Sequence, residues 1–255
     1  MSHRSLEQID HRPYSLPTGR WRFDQVWSEL AFLHWPVSTR WLRTRVPLGL
    51  EIDEFDGTAW IGVVPFRLRI RLRGLPAIPR VQVFPELNVR TYVTAGGRPG
   101  VWFFSLDAPS PLAIWAARRW FHLPYFRARF EVREQPATSG DGAGWIHYHS
   151  TRLEGDSAEF GVRYRPTGPL VLASPGTLDH FLTERYCLYS ADPAGMLYRA
   201  DVHHAPWPLQ AGEAEIATNT ITAPLGLELE GAPRVAFSRR VDVATWPLES
   251  LASGR

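Results

Sequence analysis

Between residues 64 and 73, apolar and basic positions alternate without a break. Val64, Phe66, Leu68, Ile70 and Leu72 fall on one side, and Arg67, Arg69, Arg71 and Arg73 on the other. A period of two marks a half-buried strand. Residues 127–133, 160–165 and 235–243 repeat the pattern over shorter lengths. Turns rich in glycine and proline separate these runs, and Asp56-Gly57 between residues 50–53 and 58–60 is a strong hairpin signal. Several long alternating strands predict a large antiparallel sheet, closed or strongly curled.

Helical spacing is rarer. Val26, Leu30 and Leu33 predict a short helix over residues 24–33, ended where Pro36 disfavours helix at Trp35. A second short helix is expected over residues 38–45, with Ser38 or Thr39 as its cap and Pro47 and Gly49 beyond its end. A third begins at Ser110-Pro111 and stops before Pro124; Leu112, Trp115 and Ala116 share one face, which fades into Arg119. A fourth follows Ser174-Pro175-Gly176 with Thr177 as cap, placing Leu178, Phe181, Leu182 and Arg185 on one face. Residues 1–20 carry Pro13, Pro17 and Gly19 without periodicity and read as an N-terminal arm. Residues 137–144 read as a glycine-rich loop. The expectation is one α+β, mainly β, domain over residues 21–250, with short helices covering the openings of a barrel.

One strand breaks the apolar rule. In residues 84–93, Glu86, Asn88 and Arg90 share a face, and Leu87, Val89 and Thr91 share the opposite one. An acid, an amide and a guanidinium along one wall can bind a carboxylate and handle a proton. The same set also suits a structural Glu–Arg pair with Asn88 in its network. Residues 84–130 as a whole are expected to build most of any pocket. Glu184-Arg185-Tyr186 offers a second acid–base–phenol cluster, or a helix-end salt bridge.

Composition narrows the chemistry. All 28 basic residues of the 255 are arginine, and there is no lysine. A guanidinium stays protonated and forms no Schiff base, so imine mechanisms built on a side-chain amine are excluded. The net charge of +2 does not suggest a nucleic-acid binder, and the arginine ladder reads as a solvated face paired with acids across strands. The single cysteine, Cys187, excludes an internal disulfide and fits a reducing, cytoplasmic setting. No apolar run approaches the roughly 18 residues of a membrane span. His147 and His149 share a strand face and His203-His204 are adjacent, but no third ligand converges in sequence. Ser105 lacks the flanking glycines of a nucleophile elbow, and no phosphate loop is present. No metal or cofactor is expected.

Several stretches resemble the DUF2071, or YqjF-like, family. They are Phe32-Leu33-His34-Trp35-Pro36-Val37, Val46-Pro47-Leu48-Gly49-Leu50-Glu51, the run from Pro85 to Val93, the run from Gly100 to Asp107, and the run from Leu178 to Tyr186. That family is similar to acetoacetate decarboxylase, so the resemblance implies a closed, cone-like antiparallel barrel around a buried pocket. The decarboxylase motifs fall at Leu106-Asp107, at Ala117-Arg118-Arg119, and at His122-Leu123-Pro124-Tyr125-Phe126. Tyr125 and Phe126 take the positions of the lysine pair that includes the Schiff-base residue, so imine decarboxylation is not expected. The family's pocket glutamate corresponds to Glu86.

Two readings follow. In the first, the barrel binds a small anionic organic molecule: Arg90 pairs with the anion, Glu86 handles a proton, and Asn88 and Tyr125 orient the ligand. Ser105, Arg118, Glu184 and Arg185 complete the expected binding set. Turnover, if any, would be general acid–base chemistry on a carbonyl or carboxylate compound. In the second reading the barrel is a non-catalytic scaffold, and its arginine face or its tryptophans meet a protein partner. Oligomeric state is left open.

Overall fold

The computed structural model describes residues 3–74, 83–137 and 142–251. Among these residues, thirteen strands and three short α-helices follow one another. In the first half they are β1 (Phe23–Val37), α1 (Thr39–Arg43), β2 (Glu51–Ile52), β3 (Ala59–Leu72), β4 (Val83–Ala95), β5 (Arg98–Ala108) and α2 (Pro111–Phe121). In the second half they are β6 (Tyr125–Gln135), β7 (Trp145–Arg152), β8 (Glu159–Pro166), β9 (Val171–Leu172), α3 (Leu178–Thr183), β10 (Cys187–Ala191), β11 (Leu197–His204), β12 (Pro208–Asn219) and β13 (Arg234–Ser250). The fold is mainly β, with a strongly curled sheet.

The strand order is β2-β4-β3-β1-β13-β11-β10-β5-β6-β7-β8-β12-β9, and two further pairings close it. The β4–β5 pairing joins β4, β3, β1, β13, β11, β10 and β5 into a barrel. The β13–β12 pairing brings β6, β7, β8 and β12 back as an outer layer. β5 and β13 serve both layers by changing partner along one edge. β5 meets β10 at Val101–Trp102 and β6 at Leu106–Ala108, and both pairings are parallel. The expected sheet is therefore antiparallel except at these two short seams.

Two apolar cores result. Leu30, Phe32, Val64, Phe66, Leu68 and Trp207 pack inside the barrel. Leu33, Trp35, Val63, Leu87 and Val89 point outward and pack against Tyr148, Phe160 and Tyr164 of the outer layer. Strands β1, β3 and β4 are thus buried on both faces, which turns parts of them into continuous apolar runs.

This explains the main error of the sequence reading. Residues 24–33 form strand, not helix: they lie within β1. Between Ser28 and Leu33 the register with β3 advances five residues against four, a bulge whose extra residue, Glu29, has φ 55°. Phe23, Gln25 and Trp27 face the barrel interior before the bulge, and Leu30 faces it afterwards. The apparent helical spacing of Val26, Leu30 and Leu33 is the sum of that slip and two-sided burial.

The other elements lie close to expectation. Ser38, Ser110 and Thr177 accept the capping bonds of α1, α2 and α3. Asp56 and Gly57 make a turn with positive φ at both residues, but β2 pairs with β4 and not with β3. In α2, Ile114 is the buried residue, while Leu112 and Trp115 stay exposed, contrary to the expected apolar face. In the arginine ladder, Arg67 meets Glu29 on the outer face of β3, Arg71 meets Asp24 at the border of the barrel interior, and Arg73, just past the strand, covers the Trp21 ring at 4.5 Å. Part of the loop at residues 137–144 lies outside the described residues.

Candidate active site

The barrel encloses a cavity of about 450 Å³. α3 caps one end, where Leu178 and Leu182 pack on Tyr92 and Val101. α2 lies at the other end, with Leu112, Trp115, Trp120 and Phe121 on the cavity rim.

β4 supplies the polar wall. Its alternation sends Leu87 and Val89 into the outer core and Glu86, Asn88 and Arg90 into the cavity. All three polar residues are buried. Across the pairing with β3 they lie opposite Phe66, Val64 and Gly62. A Cβ on Gly62 would sit 3.0 Å from the His34 ring and in ordinary contact with Arg90 Cγ at 3.5 Å, so glycine is what leaves room for the His34 ring beside β3.

Arg90 has few partners. Its Nη2 donates to the Leu182 carbonyl at 3.3 Å, and its Nε is buried without a bond. Its guanidinium carbon lies 5.4 Å from the Phe32 ring centre and 5.7 Å from that of Tyr92. Among the described residues no carboxylate pairs with it. Removing a guanidinium from water costs several kcal/mol unless an opposite charge compensates. Arg185, which also lines the cavity, differs: it pairs with Asp53 and donates to the Phe181 carbonyl at 2.6 Å.

Glu86 accepts a hydrogen bond from the Tyr125 hydroxyl at 2.9 Å. Burial raises its pKa to about 8; the Tyr125 bond opposes the rise and the nearby Asp107 charge adds to it. At neutral pH the carboxyl therefore keeps its proton and has an O–H to offer. Burial and Glu86 together push the Tyr125 phenol well up. Asn88 Oδ1 is buried without a donor, leaving an acceptor open between Glu86 and Arg90.

Other expected binding residues do not reach the cavity. Ser105 pairs in register with Val89, just past a bulge between Val89 and Arg90, and belongs to the outer-core side of β5. Arg118 lies on the outside of α2, donating to the Tyr125 carbonyl at 2.8 Å and pairing with Glu154. Glu184 accepts from the Tyr186 hydroxyl and, at 2.8 Å, from the Trp207 backbone N–H. Phe126 faces away from the cavity, under the Arg152 guanidinium at 4.2 Å.

His34, His204 and Thr183 stand at or beside the cavity and lie outside the expected binding set. His34 binds the Tyr92 hydroxyl through Nε2 at 2.6 Å, and burial with the nearby Arg90 charge holds its pKa well below the ordinary value. His204 and Thr183 line the cavity, and burial lowers the His204 pKa. The signal for His204 was its strand: neighbours on a strand face opposite ways, so His203 reaches the Ser5 carbonyl at 3.0 Å on the other side. His147 and His149 bond Gln135 and Glu159 on the outer layer. Among the described residues no group of three or more His, Cys, Asp or Glu is placed to hold a metal.

Comparison with known proteins agrees with this architecture. The DUF2071 family model, described as an uncharacterized conserved protein, matches residues 24–242. The chain is 44% identical to "Uncharacterized protein YqjF" of Bacillus subtilis over 244 residues, 95% of this chain and 98% of that one. Among solved structures, the enduracididine biosynthesis enzyme MppR complexed with pyruvate superposes with a TM-score of 0.64 at 14% identity, covering 98% of each chain. Acetoacetate decarboxylase from Legionella pneumophila superposes with a TM-score of 0.61 at 12% identity, covering 99% of this chain and 98% of that one. At these identities the likeness is one of fold.

Proposed function

The chain belongs to the DUF2071 family, and on that premise we propose that its barrel is a binding site for a small anionic organic molecule in the cytoplasm. The observation that carries this reading is Arg90: a buried guanidinium, without a carboxylate partner among the described residues, on the wall of a cavity of about 450 Å³. The ligand's carboxylate pairs with Arg90. Asn88 and Tyr125 orient the polar atoms next to it, and Glu86 handles a proton. A neighbour of the same fold was solved with pyruvate, itself a carboxylate, which supports this ligand class.

The arrangement suits general acid–base chemistry on a carbonyl or carboxylate compound. A carboxyl with a pKa of about 8 exchanges its proton near neutral pH, where such catalysis is most effective. Imine chemistry on a side-chain amine is excluded, because the chain has no lysine. The alternative of a non-catalytic scaffold draws on α2, where Leu112, Trp115 and Trp120 remain exposed. Those side chains also rim the cavity, so a ligand site accounts for them without a protein partner.

Native mass spectrometry of the full chain against a panel of small organic acids tests the proposal. One acid retained at one per chain, and lost in Arg90→Met, is the expected result. Retention of no acid, or equal retention by the variant, would overturn it.

A further inference from the structure

The cavity is larger and more one-sided than a short acid needs. At the roughly 30 Å³ that a water molecule occupies in the liquid, 450 Å³ holds about fifteen non-hydrogen atoms. Pyruvate fills a minor part of that. The lining is also segregated. Arg90, Asn88, Thr183 and Arg185 gather toward α3, and Glu86 with Tyr125 stands part-way out. From there to the mouth the wall is mainly apolar, with Trp27, Phe66, Leu68, Ile70 and Phe84; the polar residues at that end, Gln25 and Thr245, bond each other at 3.2 Å, and Arg71 is paired with Asp24. From Arg90 to Phe84 the wall runs six residues of β4, about 20 Å at the ordinary strand rise.

The rim points the same way. Leu112, Trp115 and Trp120 are 72%, 57% and 49% exposed, although each also lines the cavity. A chain leaving the barrel would cover the apolar surface they show to water. Charge sets the headgroup. Of the arginines lining the cavity, Arg71 holds Asp24 and Arg185 holds Asp53. His34 and His204 are neutral through burial. Arg90 is left as a single uncompensated charge, matched by a single anionic group.

We propose that the occupant is an amphipathic monocarboxylate, its carboxylate on Arg90 and its apolar body running past Trp27 and Phe66 to α2. This rests on the anion-site reading above and specifies the rest of the molecule. The open Asn88 acceptor favours a hydroxyl or other donor a few atoms from the carboxylate.

Isothermal titration of the full chain at pH 7 with straight-chain carboxylates from acetate to dodecanoate, and with primary alcohols of the same lengths, tests it. Affinity is expected to rise about fourfold per methylene, the ratio that about 0.8 kcal/mol per buried CH₂ implies, until the chain outgrows the cavity. Alcohols should bind at least tenfold more weakly than acids of equal length. Ala116→Trp, which narrows the rim, should end the gain at shorter chains; the wild-type series decides the question even if that variant fails to fold. Binding of short acids with no gain from lengthening would overturn the amphipathic ligand and leave the anion site standing. Alcohols binding as well as acids, or no binding by either series, would overturn both.

Discussion

Arg90 and Arg152 are equally buried, each 8% exposed, yet they sit in opposite circumstances. Arg152, in the outer core, holds Asp107 through Nη2 at 2.8 Å and Nε at 3.1 Å and lies over the Phe126 ring. Arg90, on the cavity wall of the barrel, has a long bond to the Leu182 carbonyl and the Tyr92 hydroxyl nearby, with no carboxylate partner among the described residues. Burial alone does not distinguish these two arginines; the supply of a partner does. The outer core completes its own ion pair. In the barrel, no carboxylate among the described residues completes one.

The largest effect should come from breaking the completed pair. Asp107→Ala leaves Arg152 buried without its charge partner and should cost about 3–5 kcal/mol of stability in urea unfolding. Arg90→Met removes a charge that has no carboxylate partner and should be neutral or mildly stabilising in the same measurement. Equal losses would erase the distinction between the two arginines.

Next comes the pH dependence of Glu86. Its pKa is raised by folding to about 8 from an ordinary carboxylate value, so between roughly pH 4.5 and 8 the folded state holds a proton that the unfolded state releases. This group's contribution to stability therefore falls as pH rises through that window, by up to about 1.4 kcal/mol per pH unit, and levels off above pH 8. Glu86→Gln should flatten that component of the urea midpoint–pH curve while leaving contributions from other groups. An unchanged curve would place Glu86 outside the account. Gly62→Ala should have a smaller effect: a methyl 3.0 Å from the His34 ring should cost about 1–3 kcal/mol in the same unfolding measurement.

Much of this architecture is legible in the sequence. Period-two patterning marks β3, β6, β8 and the polar wall of β4, because these strands alternate unbroken: the extra residues at their register shifts belong to the partner strands β1, β5 and β12. Two misplacements share a cause. The bulge at Glu29 made β1 read as helix, and the bulge between Val89 and Arg90 turned Ser105 away from the cavity. One inserted residue reverses every face after it, and composition gives no warning of the insertion. Arg118 was drawn in by a motif correspondence that ignored which side of α2 it occupies. The difference between Arg90 and Arg152 lay beyond sequence reading altogether. It depends on Asp107 reaching one of them from a parallel seam that brings β5 beside β6 and, through it, β7.

The most direct test of that difference is isothermal titration of wild type and Arg90→Met with the tightest-binding acid from the panel, at pH 7 and fixed ionic strength. The account predicts one site in the wild type and at least a tenfold loss of affinity in a variant that unfolds at an unchanged or higher urea concentration. Equal affinity in two equally folded proteins would contradict it.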